Sequence, residues 1–175
     1  RASAVEFTCQ TIYHQKSLTI LTRALRKTIR RKTSRQMRII SWGIIVIELV
    51  CLLSSLHTRW LAVGNGLVVV SLLLLLWKED AFNAFFDKRK QLPGTDTCTT
   101  AFYPDHYETC IAGACTQWQY SRVLALAESK DYFVFIPGRN HAQAYDKRKL
   151  AGGSADVFRR FIEEKTGKTV RNIGG

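Results

Sequence analysis

Ile39 to Leu56 (IISWGIIVIELVCLLSSL) and Leu61 to Trp77 (LAVGNGLVVVSLLLLLW) are each about the length that crosses a hydrocarbon core as a helix, and only His57, Thr58, Arg59 and Trp60 separate them. The pattern predicts a two-helix transmembrane hairpin over residues 39–77. A core helix of a soluble protein alternates apolar and polar residues at helical spacing, whereas Leu67 to Trp77 holds no polar residue except Ser71. Neither segment reads as a secretory leader, because a long basic stretch precedes the first and a second span follows at once.

Moving outward, the flanks set the orientation. Arg23, Arg26, Lys27, Arg30, Arg31, Lys32, Arg35 and Arg38 crowd the approach to the first span, and Lys78, Lys88, Arg89 and Lys90 follow the second. The connecting turn offers only Arg59, so both termini are expected on the cytoplasmic side. The net charge of +12 and sequence pI of 9.8 agree with a surplus of cations beside the membrane. Anionic headgroups attract such residues by about 1 kcal/mol each, which makes anionic membrane lipid an expected partner and Arg30, Arg31, Lys32 and Arg35 expected headgroup contacts. Nucleic acid is the competing reading of a basic run; it is disfavoured because the run abuts a span and lacks interleaved aromatics.

The remaining chain divides into three parts. Residues 6–38 read as a strand (Glu6 to Tyr13) and a basic amphipathic helix, with Leu18, Leu21, Leu25 and Ile29 at spacings of three and four. That helix either packs on the soluble domain or docks at the membrane interface. Residues 78–94 continue as a juxtamembrane helix carrying Phe82, Phe85 and Phe86 on one side and closed by Pro93 and Gly94. Residues 95–171 form a cytoplasmic domain. Thr97 to Tyr103, His106 to Ile111, Ala114 to Tyr120, Arg122 to Glu128, Tyr132 to Ile136 and Ala142 to Asp146 are predicted as strands of an antiparallel meander. A C-terminal helix closes the sheet: Ser154 is its N-cap, Val157, Phe158, Phe161 and Ile162 are its apolar face, and Gly167 is its stop. The fold class is therefore α+β. Arg1 to Val5, Gly174 and Gly175 are read as sequence added for expression.

The five cysteines, Cys9, Cys51, Cys98, Cys110 and Cys115, are expected to be free thiols in a reducing compartment, since the count is odd and one lies in a span. Cys98, Cys110, Cys115 and His106 lack the paired spacing of a structural zinc site, so neither metal nor cofactor is expected. No nucleophile elbow, zinc-protease helix or phosphate loop is present, and the histidines at 14, 57, 106 and 141 are scattered. No catalytic residue is assigned and the chain is read as a non-enzyme.

Glu48 carries the functional reading of the hairpin. A carboxylate near mid-span costs about 2.5–3.5 kcal/mol on insertion scales, so it should face protein or water. It shares a stripe with Ser41, Ile45, Cys51, Leu52 and Ser55, and Ser71 on the second span is the nearest candidate polar partner by depth. One hydroxyl does not balance an ionised carboxylate. Glu48 is either protonated or joined by groups from another copy or another membrane protein. In the soluble domain, Arg139, Lys147, Arg148 and Lys149 form a basic corner that either contacts headgroups or a partner, or is an ordinary solvated edge.

The series WQYSRV (Trp118 to Val123), the strand YFVFI, and QAYDKRKLAGGSADVFRRFIEEK (Gln143 to Lys165) resemble the C-terminal domain of YcxB-like bacterial membrane proteins. This sequence departs from that pattern at Asp146 and Leu150, where proline and phenylalanine often flank the Lys147-Arg148 pair. The resemblance implies a pleckstrin-homology-like (PH-like) sheet behind a two-span hairpin, in the bacterial inner membrane, with no established reaction. The expected function is regulation, scaffolding or assembly at the membrane. Two alternatives are immunity against a membrane-acting toxin captured through the Glu48 face, and a small transport or channel subunit centred on Glu48.

Overall fold

The structure, a computed structural model, describes residues 4–55, 57–90 and 94–174; Leu56, at the end of the first expected span, and Pro93 lie outside the described residues. Among the described residues, two sheets and five α-helices make up a mixed α+β fold. The first sheet contains β1 (Phe7–Ile12), β2 (Thr97–Phe102), β3 (His106–Ile111), β4 (Ala114–Gln119) and the two-residue β8 (Leu150–Ala151), in the order β4-β3-β2-β1-β8. The second contains β5 (Ala125–Glu128), β6 (Tyr132–Gly138), β7 (His141–Asp146) and β9 (Val170–Asn172), in the order β7-β6-β5-β9. The expected single antiparallel meander is thus divided in two, and β9 lies parallel to β5. The division falls at Tyr120–Arg122, a short 3₁₀ turn where the sequence pattern predicts strand.

Alternation explains β1: Phe7, Cys9 and Thr11 turn inward and Thr8, Gln10 and Ile12 outward. The YFVFI run does not alternate because both of its faces are covered. Phe133 and Phe135 enter a core with Phe7, Phe102, Tyr107 and Tyr145, into which helix α5 (Ala155–Thr166) inserts Phe158, Phe161 and Ile162. Tyr132, Val134 and Ile136 face the other way, against Ile20 and Ala24 of α1 (Gln15–Lys27). The amphipathic helix therefore turns its apolar face to the second sheet, the first of its two sequence readings. Ser154 caps α5 by accepting from the Val157 N–H, and Gly167 ends it at φ +64°.

Helices α2 (Arg31–Ser54) and α3 (Arg59–Trp77) are both long and apolar enough to cross a membrane. The single basic helix expected to run into the first span is broken at Thr28 to Arg30, so α1 and α2 are separate elements. After α3, α4 (Glu79–Lys90) returns along α1. Arg26 grips Asp80 with two charge-assisted bonds of 2.8 and 2.6 Å, and the Gln15 amide donates to the Ala81 carbonyl at 3.1 Å. Ala84 of α4 is fully buried, while Phe82, Phe85 and Phe86 are exposed. All four helices lie in sequence between β1 and β2, which pair side by side from Phe7↔Phe102 to Ile12↔Thr97.

The cysteine expectation is corrected in one place. Cys110 and Cys115 are joined as a disulfide across β3 and β4, with Cα atoms 4.0 Å apart. The turn is the reason: Ala112 (φ 50°) and Gly113 (φ 83°) form a two-residue hairpin loop, which sets Cys110 directly opposite Cys115. Cys9, Cys51 and Cys98 are free. His106 stacks on Tyr103 at 4.6 Å and hydrogen-bonds Asp105 at 2.8 Å.

Candidate interaction sites in the hairpin and at its base

The two apolar helices touch along a narrow seam in which Ile45 of α2 and Val69 of α3 are the buried residues. Ser41, Glu48, Leu52 and Ser55 lie on the same side of α2 and are half-buried. Across from them, Asn65 of α3 donates its side-chain amide to the Ser55 hydroxyl at 3.2 Å. Asn65 was not among the expected polar contacts; its position near the turn end of α3, between Gly64 and Gly66, is the signal that could have found it.

Cys51 and Ser71 are not part of the seam. Both are exposed, on the outer faces of their helices. A step of about 100° per residue carries Cys51 off the Glu48 line, and it carries Ser71 away from Val69. Seven residues from Ser55 to Glu48 are matched by seven from Asn65 to Leu72, so the carboxylate stands level with an apolar side chain. Glu48 makes no hydrogen bond or ion pair among the described residues.

At the base of the hairpin, Arg30 is engaged inward: its guanidinium donates to the Arg139 carbonyl at 3.2 Å and to the Asn140 side chain. Those contacts tie the α1–α2 elbow to the β6–β7 turn. Arg31, Lys32 and Arg35 are exposed, and among the described residues their side chains make no ion pair. Arg38 stands 3.7 Å from Glu79.

The basic corner beside the second sheet is largely consumed by its own fold. Lys147 donates to Glu128 and to the Ser129 carbonyl (2.8 Å), and its ammonium lies 4.8 Å from the centre of the Phe133 ring. Arg159 of α5 holds the same carboxylate at 2.8 and 2.7 Å. Burial pushes the Glu128 pKa up, but the bonds from Arg159 and Lys147 outweigh it and hold the group below the usual glutamate value. Arg148 forks onto Asp146 at 3.0 and 2.7 Å and lowers that carboxyl in turn. Lys147 is thus a structural cation, Arg148 is half of an ion pair, and Lys149 and Arg139 alone lack a carboxylate partner among the described residues.

A groove of about 410 Å³ opens between the edge strands β4 and β7, floored by Thr116 and Gln143 and bordered by Leu18 and Leu21 of α1. Trp118 of β4 stacks on His141 of β7 across it, with ring centres 5.4 Å apart. Burial lowers the His141 pKa, so this contact is made with a neutral imidazole at pH 7.

Comparison with protein-family models, curated proteins and solved structures returned no match to this chain.

Proposed function

We propose that this chain is a membrane-anchored, non-enzymatic interaction protein of the bacterial inner membrane, with regulation or scaffolding as its task and both termini in the cytoplasm. The observation that carries the reading is the bareness of the hairpin. Only 6% of the most apolar window of each long helix is buried within the protein, leaving nearly all of that surface to another apolar phase. The cationic flanks favour the cytoplasmic orientation, and the two sheets with a C-terminal helix between them suit a PH-like interaction domain.

In this reading Glu48 is the recognition point inside the membrane. The hairpin seam supplies it with no polar partner among the described residues, so a second copy of the chain supplies the contact. Glu48→Gln tests this. Interhelical polar contacts in membranes are worth about 1–2 kcal/mol, so self-association in detergent should weaken about tenfold while the circular dichroism of the sheet domain is unchanged. A wild-type chain that sediments as a monomer at every concentration rules out self-association, and a variant that associates as wild type rules out Glu48.

Orientation has its own readout. A thiol pair placed like Cys110 and Cys115 is reduced in a cytosol and oxidised outside it. The Cys110–Cys115 bond of the structure is the oxidised state of that pair, so a cytoplasmic placement requires it to be open in the cell, and alkylation of intact cells with a membrane-permeant maleimide should then modify both residues without prior reduction. Protection that lasts until a reductant is added would place the domain on the opposite side.

A further inference from the structure

We propose that the base of the hairpin is a binding site for one anionic phospholipid with a multiply charged phosphate headgroup, the headgroup held between α1 and α2 and an acyl chain laid beside Trp42 and Trp77. The inference rests on the membrane reading above and specifies the lipid contact it calls for. It starts from two cavities that share one residue.

The first cavity, of about 480 Å³, is a concentration of unbalanced charge. Six of its lining side chains are cationic, and the carboxylates near them are Asp80 and Glu79. Asp80 is taken by Arg26, and Glu79 stands 3.7 Å from Arg38. Lys27 and Arg171 are fixed to backbone carbonyls, at Ile173 (2.6 Å) and Lys27 (3.1 Å). Arg31 and Arg35 have no hydrogen-bond or ion-pair partner among the described residues. They sit one helical turn apart, a spacing at which like charges repel unless an anion lies between them. The first turn of α2 contains no acidic residue and has no side-chain cap, so its backbone N–H groups add to the same positive field. Guanidinium forks match phosphate oxygens, and two free forks beside a positive helix start suit more than one phosphate charge.

The second cavity, of about 310 Å³, is lined by Arg38, Trp42, Leu73, Leu76 and Trp77. Arg38 borders both spaces, so a cationic pocket continues into an apolar one. The depths fit a lipid lying along α2. At 1.5 Å per residue, Arg35 lies about 6 Å before the apolar stretch that begins at Ile39, within a headgroup layer some 5–7 Å thick. Trp42 and Trp77 are exposed and occupy the same end of the hairpin, where indole rings favour the boundary between headgroups and chains. A free phosphate would use the first cavity and leave the second unexplained.

The experiment uses the full chain carrying Trp60→Phe, reconstituted in phosphatidylcholine vesicles. Tryptophan fluorescence is quenched with brominated acyl chains carried either on diphosphatidylglycerol or on phosphatidylcholine. The diphosphate lipid should quench at a far lower mole fraction. Arg31→Gln or Arg35→Gln should reduce that preference about fivefold each, and the pair about thirtyfold, at an unchanged melting temperature. Lys32→Gln removes the same charge from a residue outside the cavity and should leave most of the preference intact. Equal quenching by the two lipids, or a loss with Lys32→Gln as large as with Arg35→Gln, overturns the site. Displacement of the lipid by sodium pyrophosphate at equal concentration would assign the pocket to a soluble phosphate and overturn the lipid. If the chain fails to float with the vesicles, the membrane reading itself fails; if it floats without preference, only this inference does.

Discussion

Replacing Phe158 with alanine is expected to cost the two-sheet core about 3–5 kcal/mol, a large share of the 5–15 kcal/mol that holds a typical domain together. The side chain is fully buried where α5 meets both sheets, and its ring lies 5.2 Å from Phe7, 4.9 Å from Phe102 and 5.3 Å from Phe133. Those three rings come from β1, β2 and β6, so no single element can collapse to fill the void. Denaturant unfolding of the full chain in detergent, followed through Trp118, measures the loss. Val157, the residue before it on α5, is exposed, and Val157→Ala should change stability by no more than about 0.5 kcal/mol. A Phe158→Ala loss as small as that would show that α5 does not bind the sheets together.

Gly152→Ala should be damaging for a different reason. The residue has φ +109°, and a Cβ added there would lie 2.2 Å from the Glu6 carbonyl oxygen and 3.0 Å from the Phe7 Cα. Those atoms are backbone at the entry to β1, with which β8 pairs through Thr8↔Ala151 and Cys9↔Leu150, and they cannot step aside without disturbing that pairing. Strained backbone alone costs about 1–3 kcal/mol, and the displaced strand carries Phe7 out of the core as well. A melting temperature lowered by about 10 °C or more is expected, since about 1 kcal/mol moves a domain of this size by several degrees. Gly66→Ala is the contrast: a Cβ there meets nothing within 4 Å, and alanine is the better helix former. Equal melting of the two variants would mean that the β8–β1 approach is looser than the structure has it.

Much of this architecture was legible in the residues because the deciding signals are local. The apolar hairpin, the bounds of β3, the Ser154 cap and the Gly167 stop all follow from composition or from residues a few positions apart. What escaped depends on distance or brevity. β8 and β9, two and three residues long, are too short to show a period, and β9 lies parallel to β5, a pairing set by the return of α5. The break between α1 and α2 has neither glycine nor proline to announce it; tertiary contacts fix it, through Ile29 against the second core and Arg30 against the β6–β7 turn. The Cys110–Cys115 pairing was written in the spacing, since positions five apart face each other across a two-residue loop. Odd count and expected compartment outweighed that spacing in the reading of the chain.

The candidate sites were legible to a lesser degree. Charge density found Arg31 and Arg35, which have no ion-pair partner among the described residues, but it also selected Lys147, whose carboxylate partner Glu128 lies in β5, and Arg148, which pairs with Asp146 two residues back. Sequence marks a cation without revealing whether the fold has already neutralised it. Helical phase grouped Ser41, Glu48 and Ser55, which lie half-buried on one side of α2, with Cys51, which is exposed; depth alone selected Ser71, and depth does not say which way a residue points.

The entry of the helices between two neighbouring strands has a mechanical corollary. A cargo hung from one chain end swivels freely on its tether, but here two adjacent strands run into the helical section, and α1 braces them against the second sheet. The four-helix insertion is thus held at both ends by one ladder, from Phe7↔Phe102 to Ile12↔Thr97, so its root cannot turn about a single bond.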